Sequence, residues 1–234
     1  MPELSVENIS FSYKNNNVLK GISLHLAAGE KVSIIGENGT GKTTTLKIVA
    51  GLLRPGSGKV SIDGLSPEDE RSKAIMGYLP EDASPYGMLS VYENVYYAAS
   101  LRGLDDARDR AFSLMDTFGI RSYSHIIAGK LSRGNRQRLA MAMTLVHSPS
   151  LLILDEPLNY LDIPTQEKVI EMVRKADATV VVSTHVLSTA HSLTDRLLIL
   201  KDGKITWEGT IDDVIATGSG EERLEHKIAR LMEQ

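Results

Sequence analysis

The run Gly36-Glu37-Asn38-Gly39-Thr40-Gly41-Lys42-Thr43, continued by Thr44, carries the densest chemistry in the chain. It fits the spacing G-x-x-x-x-G-K-[ST]. Glycines so placed let the backbone curl until successive N–H groups converge on phosphate oxygens. A helix opening near Lys42 adds the positive end of its dipole. Lys42 then sits on β- and γ-phosphates as a point charge, and the Thr43 hydroxyl is placed for Mg²⁺. The competing reading, an ordinary glycine-rich turn, does not call for Lys-Thr where a helix begins. Two acids, Asp155 and Glu156, follow the apolar run Leu151-Leu152-Ile153-Leu154. At the end of a buried strand they stand on the ligand edge of an open α/β sheet. There Asp155 suits Mg²⁺ through water, and Glu156 suits orienting and activating an attacking water.

These residues act together only if regular elements bring them to one edge. Leu4 to Tyr13 alternates, Asn15-Asn16-Asn17 is a turn cluster, and Val18 to Leu26 alternates again, which predicts an antiparallel hairpin. Lys31 to Ile35 is a short β-branched run, the mark of a buried strand, and it delivers the chain into Gly36. Lys42 to Ala50 has helical spacing. Lys59 to Ile62, followed by Asp63-Gly64, predicts a second small hairpin, and Ile75 to Leu79 a further strand.

From Ser90 to His147 only helices are expected. Ser90 to Leu101 opens on a Ser90/Glu93 capping box, Leu104 to Phe118 stops at Gly119, and Asn135 to His147 carries Leu139, Met143 and Val146 on one face. A βα rhythm then returns: a strand at Leu151–Leu154, a helix at Thr165–Ala176 and a strand at Thr179–Val182. Arg196–Leu200 and Lys204–Trp207 flank an Asp202-Gly203 turn. The pattern predicts an α/β fold with a mostly parallel sheet, a β-rich N-terminal part and a helical insertion at about 82–148. One domain over 1–217 precedes a linker at Gly218-Ser219-Gly220 and a charged helical tail through 234, with Leu224, Ile228 and Leu231.

Composition narrows the classes. The 234 residues are 42% hydrophobic and 24% charged, enough for a sizeable core and unlike a disordered chain. The net charge of −4 disfavours a nucleic-acid backbone as main partner. With no cysteine, disulfides, thiolate zinc sites, cysteine nucleophiles and iron–sulfur clusters are excluded together. Apolar runs such as Leu139–Val146 are far shorter than a membrane span. Met1-Pro2-Glu3-Leu4 shows no basic leader. The expectation is a cytoplasmic protein that reaches a membrane only by docking on another protein.

Asp155-Glu156-Pro157 after an apolar strand, preceded by Leu131-Ser132-Arg133-Gly134-Asn135, resembles the nucleotide-binding subunit of ATP-binding-cassette (ABC) transporters. The resemblance covers essentially residues 4 to 217, and the order of elements agrees with it. It implies a P-loop NTPase core with an antiparallel N-terminal subdomain and an inserted helical subdomain. It implies ATP and Mg²⁺ as cofactors and ATP hydrolysis as the activity. Tyr13 matches the aromatic that stacks on adenine. Residues 36 to 44 match the phosphate loop, with Thr43 and Asp155 as Mg²⁺ ligands. Glu81, after Tyr78-Leu79-Pro80, stands where the family carries the glutamine that touches Mg²⁺ and the water, which implies Glu81 as a third Mg²⁺ ligand, and this departure resembles the ABC-2-type exporter branch. The family signature Leu-Ser-Gly-Gly-Gln becomes Leu131-Ser132-Arg133-Gly134-Asn135. Ser132, Arg133, Gly134 and Asn135 would meet ATP held by a second copy, and Asp162 lies on the loop that crosses between copies. Tyr160 replaces a common glycine in that loop. His185, after Ser183-Thr184, matches the histidine that bonds the γ-phosphate and holds Glu156. The resemblance therefore implies a head-to-tail homodimer around two ATPs, with Glu156, His185 and Lys42 catalytic and an integral-membrane permease as partner. The helical insertion, with Glu81 at its entry, is the expected docking surface; Tyr86, Tyr92, Tyr96 and Tyr97 are candidate contacts, with core packing the equal alternative for some of them. Two rivals keep the phosphate loop: a cytosolic assembly or repair ATPase of the same superfamily, and a non-hydrolysing nucleotide-binding regulator.

Overall fold

A computed structural model describes residues 1–216, and the tail expected after Gly218 lies outside the described residues. The first two strands are β1, Leu4–Tyr13, and β2, Asn16–Leu26. They pair antiparallel from Leu4↔Leu26 to Tyr13↔Asn16. Their inward side chains, among them Leu4, Val6, Ile9, Leu19 and Ile22, are buried, as the alternation requires. β3 spans Lys31–Ile35 and leads through the phosphate loop into α1, Lys42–Val49.

β4, Ser57–Ile62, corrects one expectation. Asp63 and Gly64 do turn the chain, with φ 48° and 78°, but no second hairpin strand follows beyond an Ile62–Leu65 bridge. β4 instead pairs antiparallel with the free edge of β1, Leu4 opposite Ile62 and Val6 opposite Val60. Apolar residues on the same face of both strands favour that partner. The N-terminal sheet is thus ordered β2-β1-β4. A one-turn helix α2, Glu70–Ala74, was not foreseen; Asp69 caps it by accepting from the Arg71 N–H.

β5 is Met76–Leu79. The helical block follows as α3 Val91–Leu101, α4 Ala107–Thr117 and α5 Arg133–Leu145. Both halves of the Ser90/Glu93 capping box form. α4 begins three residues later than the spacing suggests, after Gly103 turns at φ 68°. α5 begins earlier, because Ser132 caps it by accepting from the Asn135 N–H at 3.3 Å. The remaining elements are β6 Leu151–Asp155, α6 Ile163–Lys175, β7 Thr179–Thr184, α7 Leu187–Leu193, β8 Arg196–Lys201, β9 Lys204–Thr210 and α8 Ile211–Ala216.

The main sheet is ordered β5-β6-β7-β3-β8-β9, parallel except for β9. β6 and β7 are buried along their whole length, which explains why their sequences run apolar without alternation. Alternate residues nevertheless feed different cores. Leu152, Leu154, Val180 and Val182 face the helical block, while Ile153 and Val181 face α1 and the N-terminal sheet. The parallel strands β3, β5, β6 and β7 end at one edge of this sheet, and every proposed chemical residue of the core follows one of those ends.

Candidate nucleotide site

A cavity of about 380 Å³ lies at that edge, lined by Tyr13, Asn16, Val18, Asn38, Gly39, Gly41, Lys42, Thr43, Thr44, Glu81, Asp155 and Glu156. The phosphate loop builds its floor. Gly41 adopts φ 110°, and a Cβ there would come within 2.5 Å of Leu19 Cδ2, so the last loop position admits only glycine. Thr40 Oγ1 donates to the Glu37 carbonyl at 2.9 Å, and Thr45 ties back to the Gly41 carbonyl through both its N–H and its hydroxyl. Lys42 donates to the Gly36 and Glu37 carbonyls at 2.7 and 2.9 Å. The ammonium is therefore folded across the mouth of its own loop with one N–H to spare. Burial pushes its pKa down; the charges of Glu156, Asp155 and Glu81 push it back up.

The acids occupy the opposite wall. Asp155 is fully buried and accepts from Ser183 Oγ through Oδ1. Its Oδ2 has no protein partner. An orphaned carboxylate oxygen beside a phosphate loop fits an oxygen-seeking cation, directly or through water. Among the described residues no cluster of three His, Asp or Glu side chains surrounds it. Mg²⁺ takes one or two carboxylates and completes its shell with phosphates and water, so the free Asp155 oxygen could serve it. Glu81, two residues beyond the end of β5, lines the same cavity and is the second carboxylate that could hold such an ion. Burial first, then the neighbouring Asp155 and Glu156, raise its pKa, so positive charge is welcome there.

Glu156 is 5% exposed and held at φ 48°, a strained conformation for a side chain other than glycine. Thr184 Oγ1 donates to Oε2 at 3.0 Å, and His185 Nδ1 lies 2.7 Å from Oε1. The end of β7 thus fixes both oxygens. Ser183 and Thr184 hold the acids, a role that sequence reasoning did not assign. The only sequence signal was two hydroxyl residues ending an apolar strand. Tyr13 is 46% exposed and meets Phe11 edge-on at 4.8 Å, which leaves a ring face for a base.

None of Ser132, Arg133, Gly134, Asn135 or Asp162 lines this cavity. They gather elsewhere, where the opening of α5 packs on the turn from Glu156 to Asp162. Arg138 pairs with Asp162 at 2.5 Å. A Cβ on Gly134 would stand 2.7 Å from the Tyr160 carbonyl, so the helix accepts only glycine where the turn crosses it. Of the four tyrosines proposed as contacts, Tyr86, Tyr96 and Tyr97 are exposed. Tyr92 is not: it stacks between Tyr96 and Phe112, at 5.6 and 5.0 Å, and belongs to the helical core.

Comparison with known proteins agrees with this geometry. Residues 19–159 match the family model described as ABC transporter. The chain is 36% identical to the uncharacterized ABC transporter ATP-binding protein YxlF of Bacillus subtilis, over 90% of this chain and 72% of that protein. It is 33% identical to the lipopolysaccharide export ATP-binding protein LptB of Haemophilus influenzae (92% and 93% covered). It is equally identical to the aliphatic sulfonates import ATP-binding protein SsuB of Pseudomonas putida (94% and 81%). The solved structure of an ATP-binding subunit of an ABC transporter superposes with TM-score 0.88 at 30% identity, covering 97% of this chain and 98% of that one. An ATP-binding cassette dimer in a post-hydrolysis state, bound to ADP and Pi, superposes with TM-score 0.81 at 28% identity (88% and 98%). A sheet edge that joins a phosphate loop to a buried aspartate with one free oxygen and a doubly anchored glutamate suits ATP hydrolysis, and by these matches the chain belongs to the ABC transporter family as an ATP-binding subunit with ATPase activity.

Proposed function

We propose that the chain drives an export permease by closing, with a second copy of itself, head to tail around two ATPs. One observation carries this reading: the signature residues and the phosphate cavity are separate regions of the same chain. Ser132, Arg133, Gly134 and Asn135 open a 13-residue helix whose N–H groups and dipole suit a γ-phosphate. A second copy can present them to it, with Asp162 at the crossing.

Each residue then has one task. Residues 36–44 cradle the phosphates, Lys42 neutralises them, and Tyr13 stacks on adenine. Mg²⁺, held by Thr43, Asp155 and Glu81, supplies further charge neutralisation. Glu156 takes a proton from the attacking water, and His185 and Thr184 hold its carboxylate in place. Hydrolysis weakens the closed interface, and reopening moves the membrane partner. Residues 1–217 act as the ATP-binding domain, with 82–148 as its helical part.

The permease docks at a groove of about 300 Å³ between the loop after β5 and the helical block, where Tyr86, Tyr97 and Leu101 are exposed. Among the described residues no helix is long and apolar enough to cross a membrane. In this reading the chain sits on the inner membrane face through the permease docked in that groove. Relatives include both an export and an import subunit; Glu81, in place of glutamine, favours export here. The test is ATPase activity with and without the co-expressed membrane subunit, alongside ATP-driven uptake of substrate into inside-out vesicles. Stimulation by the permease and ATP-driven uptake are expected. Indifference to it refutes the coupling, and uptake into right-side-out vesicles refutes export.

A further inference from the structure

Tyr160 and Arg133 both depart from the family pattern, and they touch. The Arg133 guanidinium lies 5.3 Å from the centroid of the Tyr160 ring. Among the described residues that ring is its one partner. Tyr160 adopts φ 65°, a left-handed conformation that a bulky residue enters only at a cost. Its side chain is 55% exposed, so burial does not hold it there. The surrounding contacts make the opening of α5 and the turn after β6 one packed unit. Gln137 Nε2 donates to the Pro157 carbonyl at 3.4 Å, and Arg138 pairs with Asp162. Within the turn, the Asn159 N–H donates to the Glu156 carbonyl at 3.2 Å.

We propose that Tyr160 is a positioning residue for Arg133: its ring confines the guanidinium at the N-terminal end of α5, where the cation meets the γ-phosphate of ATP bound by the second copy. This rests on the head-to-tail reading above. An exposed arginine otherwise samples many rotamers, and ordering it costs entropy when the copies meet. Stacking on an aromatic face places it beforehand. A full positive charge then adds to the partial charge of the helix end. The two departures form a single device, since the strained tyrosine backbone is matched by a contact that glycine lacks.

The test uses the full chain carrying Glu156→Gln, with dimerisation under Mg·ATP followed by sedimentation. In that background Tyr160→Phe, Tyr160→Gly, Arg133→Gln and the Tyr160→Gly/Arg133→Gln pair are compared. An exposed cation–π contact corresponds to about 2–5-fold per site, hence about 4–25-fold over the two sites of a dimer. Tyr160→Gly is expected to weaken dimerisation by that factor, Tyr160→Phe by less than about 2-fold, and the pair no more than Arg133→Gln alone. The melting temperature of Tyr160→Gly should stay near that of its parent, because relief of the left-handed strain offsets the added freedom of glycine when unfolded. Equal losses for Phe and Gly, additive losses in the pair, or undiminished dimerisation of Tyr160→Gly would overturn the proposal. A Glu156→Gln parent that stays monomeric at saturating Mg·ATP overturns the dimer reading itself, and this one with it.

Discussion

Replacing Glu156 with glutamine separates holding the nucleotide from cleaving it. The carboxylate is nearly inaccessible, anchored by Thr184 at 3.0 Å and His185 at 2.7 Å. An amide has the same shape. Its oxygen can still accept from Thr184, and its NH₂ can donate to His185 when the ring proton sits on Nε2. The lost charge-assisted hydrogen bond and the removed burial of a charge have opposite signs, so the net change in stability is expected within about 1 kcal/mol. That is a shift of about 2–4 °C in a domain of this size. The chemical loss is larger. A positioned general base contributes about 10²–10⁴-fold, or about 2.7–5.4 kcal/mol of barrier. Phosphate release measured at saturating Mg·ATP should fall by that factor, while nucleotide binding by fluorescence titration stays within threefold. Turnover within tenfold of the parent would show that Glu156 is not the base. Lost binding at unchanged turnover per bound ATP would show that its role is structural.

Lys42→Ala removes an ammonium already aligned on two loop carbonyls and should weaken ATP binding by about 100-fold in equilibrium titration, at about 1.4 kcal/mol per decade. Gly134→Ala must displace the Tyr160 backbone; a loss of about 1–3 kcal/mol is expected by denaturant unfolding, and an unchanged midpoint would contradict the close crossing. His147 tests pH dependence. Its Nε2 faces the Met76 carbonyl at 3.0 Å, and burial together with the Arg102 charge lowers its pKa from 6.5 to about 4. The unfolded chain therefore binds the extra proton first, and stability falls as pH drops from about 6.5 towards 4. Discounted for partial exposure, the loss is about 1–2 kcal/mol. His147→Gln keeps a donor for Met76 and should flatten that slope in melting curves taken across the window.

The parallel core was legible because buried strands and a phosphate loop impose composition as well as order. Lys31–Ile35 and Leu151–Leu154 have no room for alternation, and the structure places them where the spacing predicts. Helix ends were less legible. Ser132 moved the start of α5 forward through a side-chain cap, and Gly103 held α4 back. The partner of β4 was hidden because a local Asp-Gly turn says nothing about a distant strand edge. In the site, the loop and the acids announced themselves by type and spacing. The supports did not: Ser183 and Thr184 matter through which oxygen each hydroxyl reaches. The meeting of Arg133 with Tyr160 joins two segments far apart along the chain, and no local pattern encodes it.

β6 and β7 face one core with their even side chains and the other with their odd ones. A sheet shared in this way leaves no half that can melt alone. Backbone amides in the middle of both strands should be the slowest in the molecule to exchange with deuterium, released only when the entire domain opens. The segments that end in Asp155 and Thr184 are therefore the stiffest footing the fold offers, so the groups that must stay still during the reaction are mounted on what moves least.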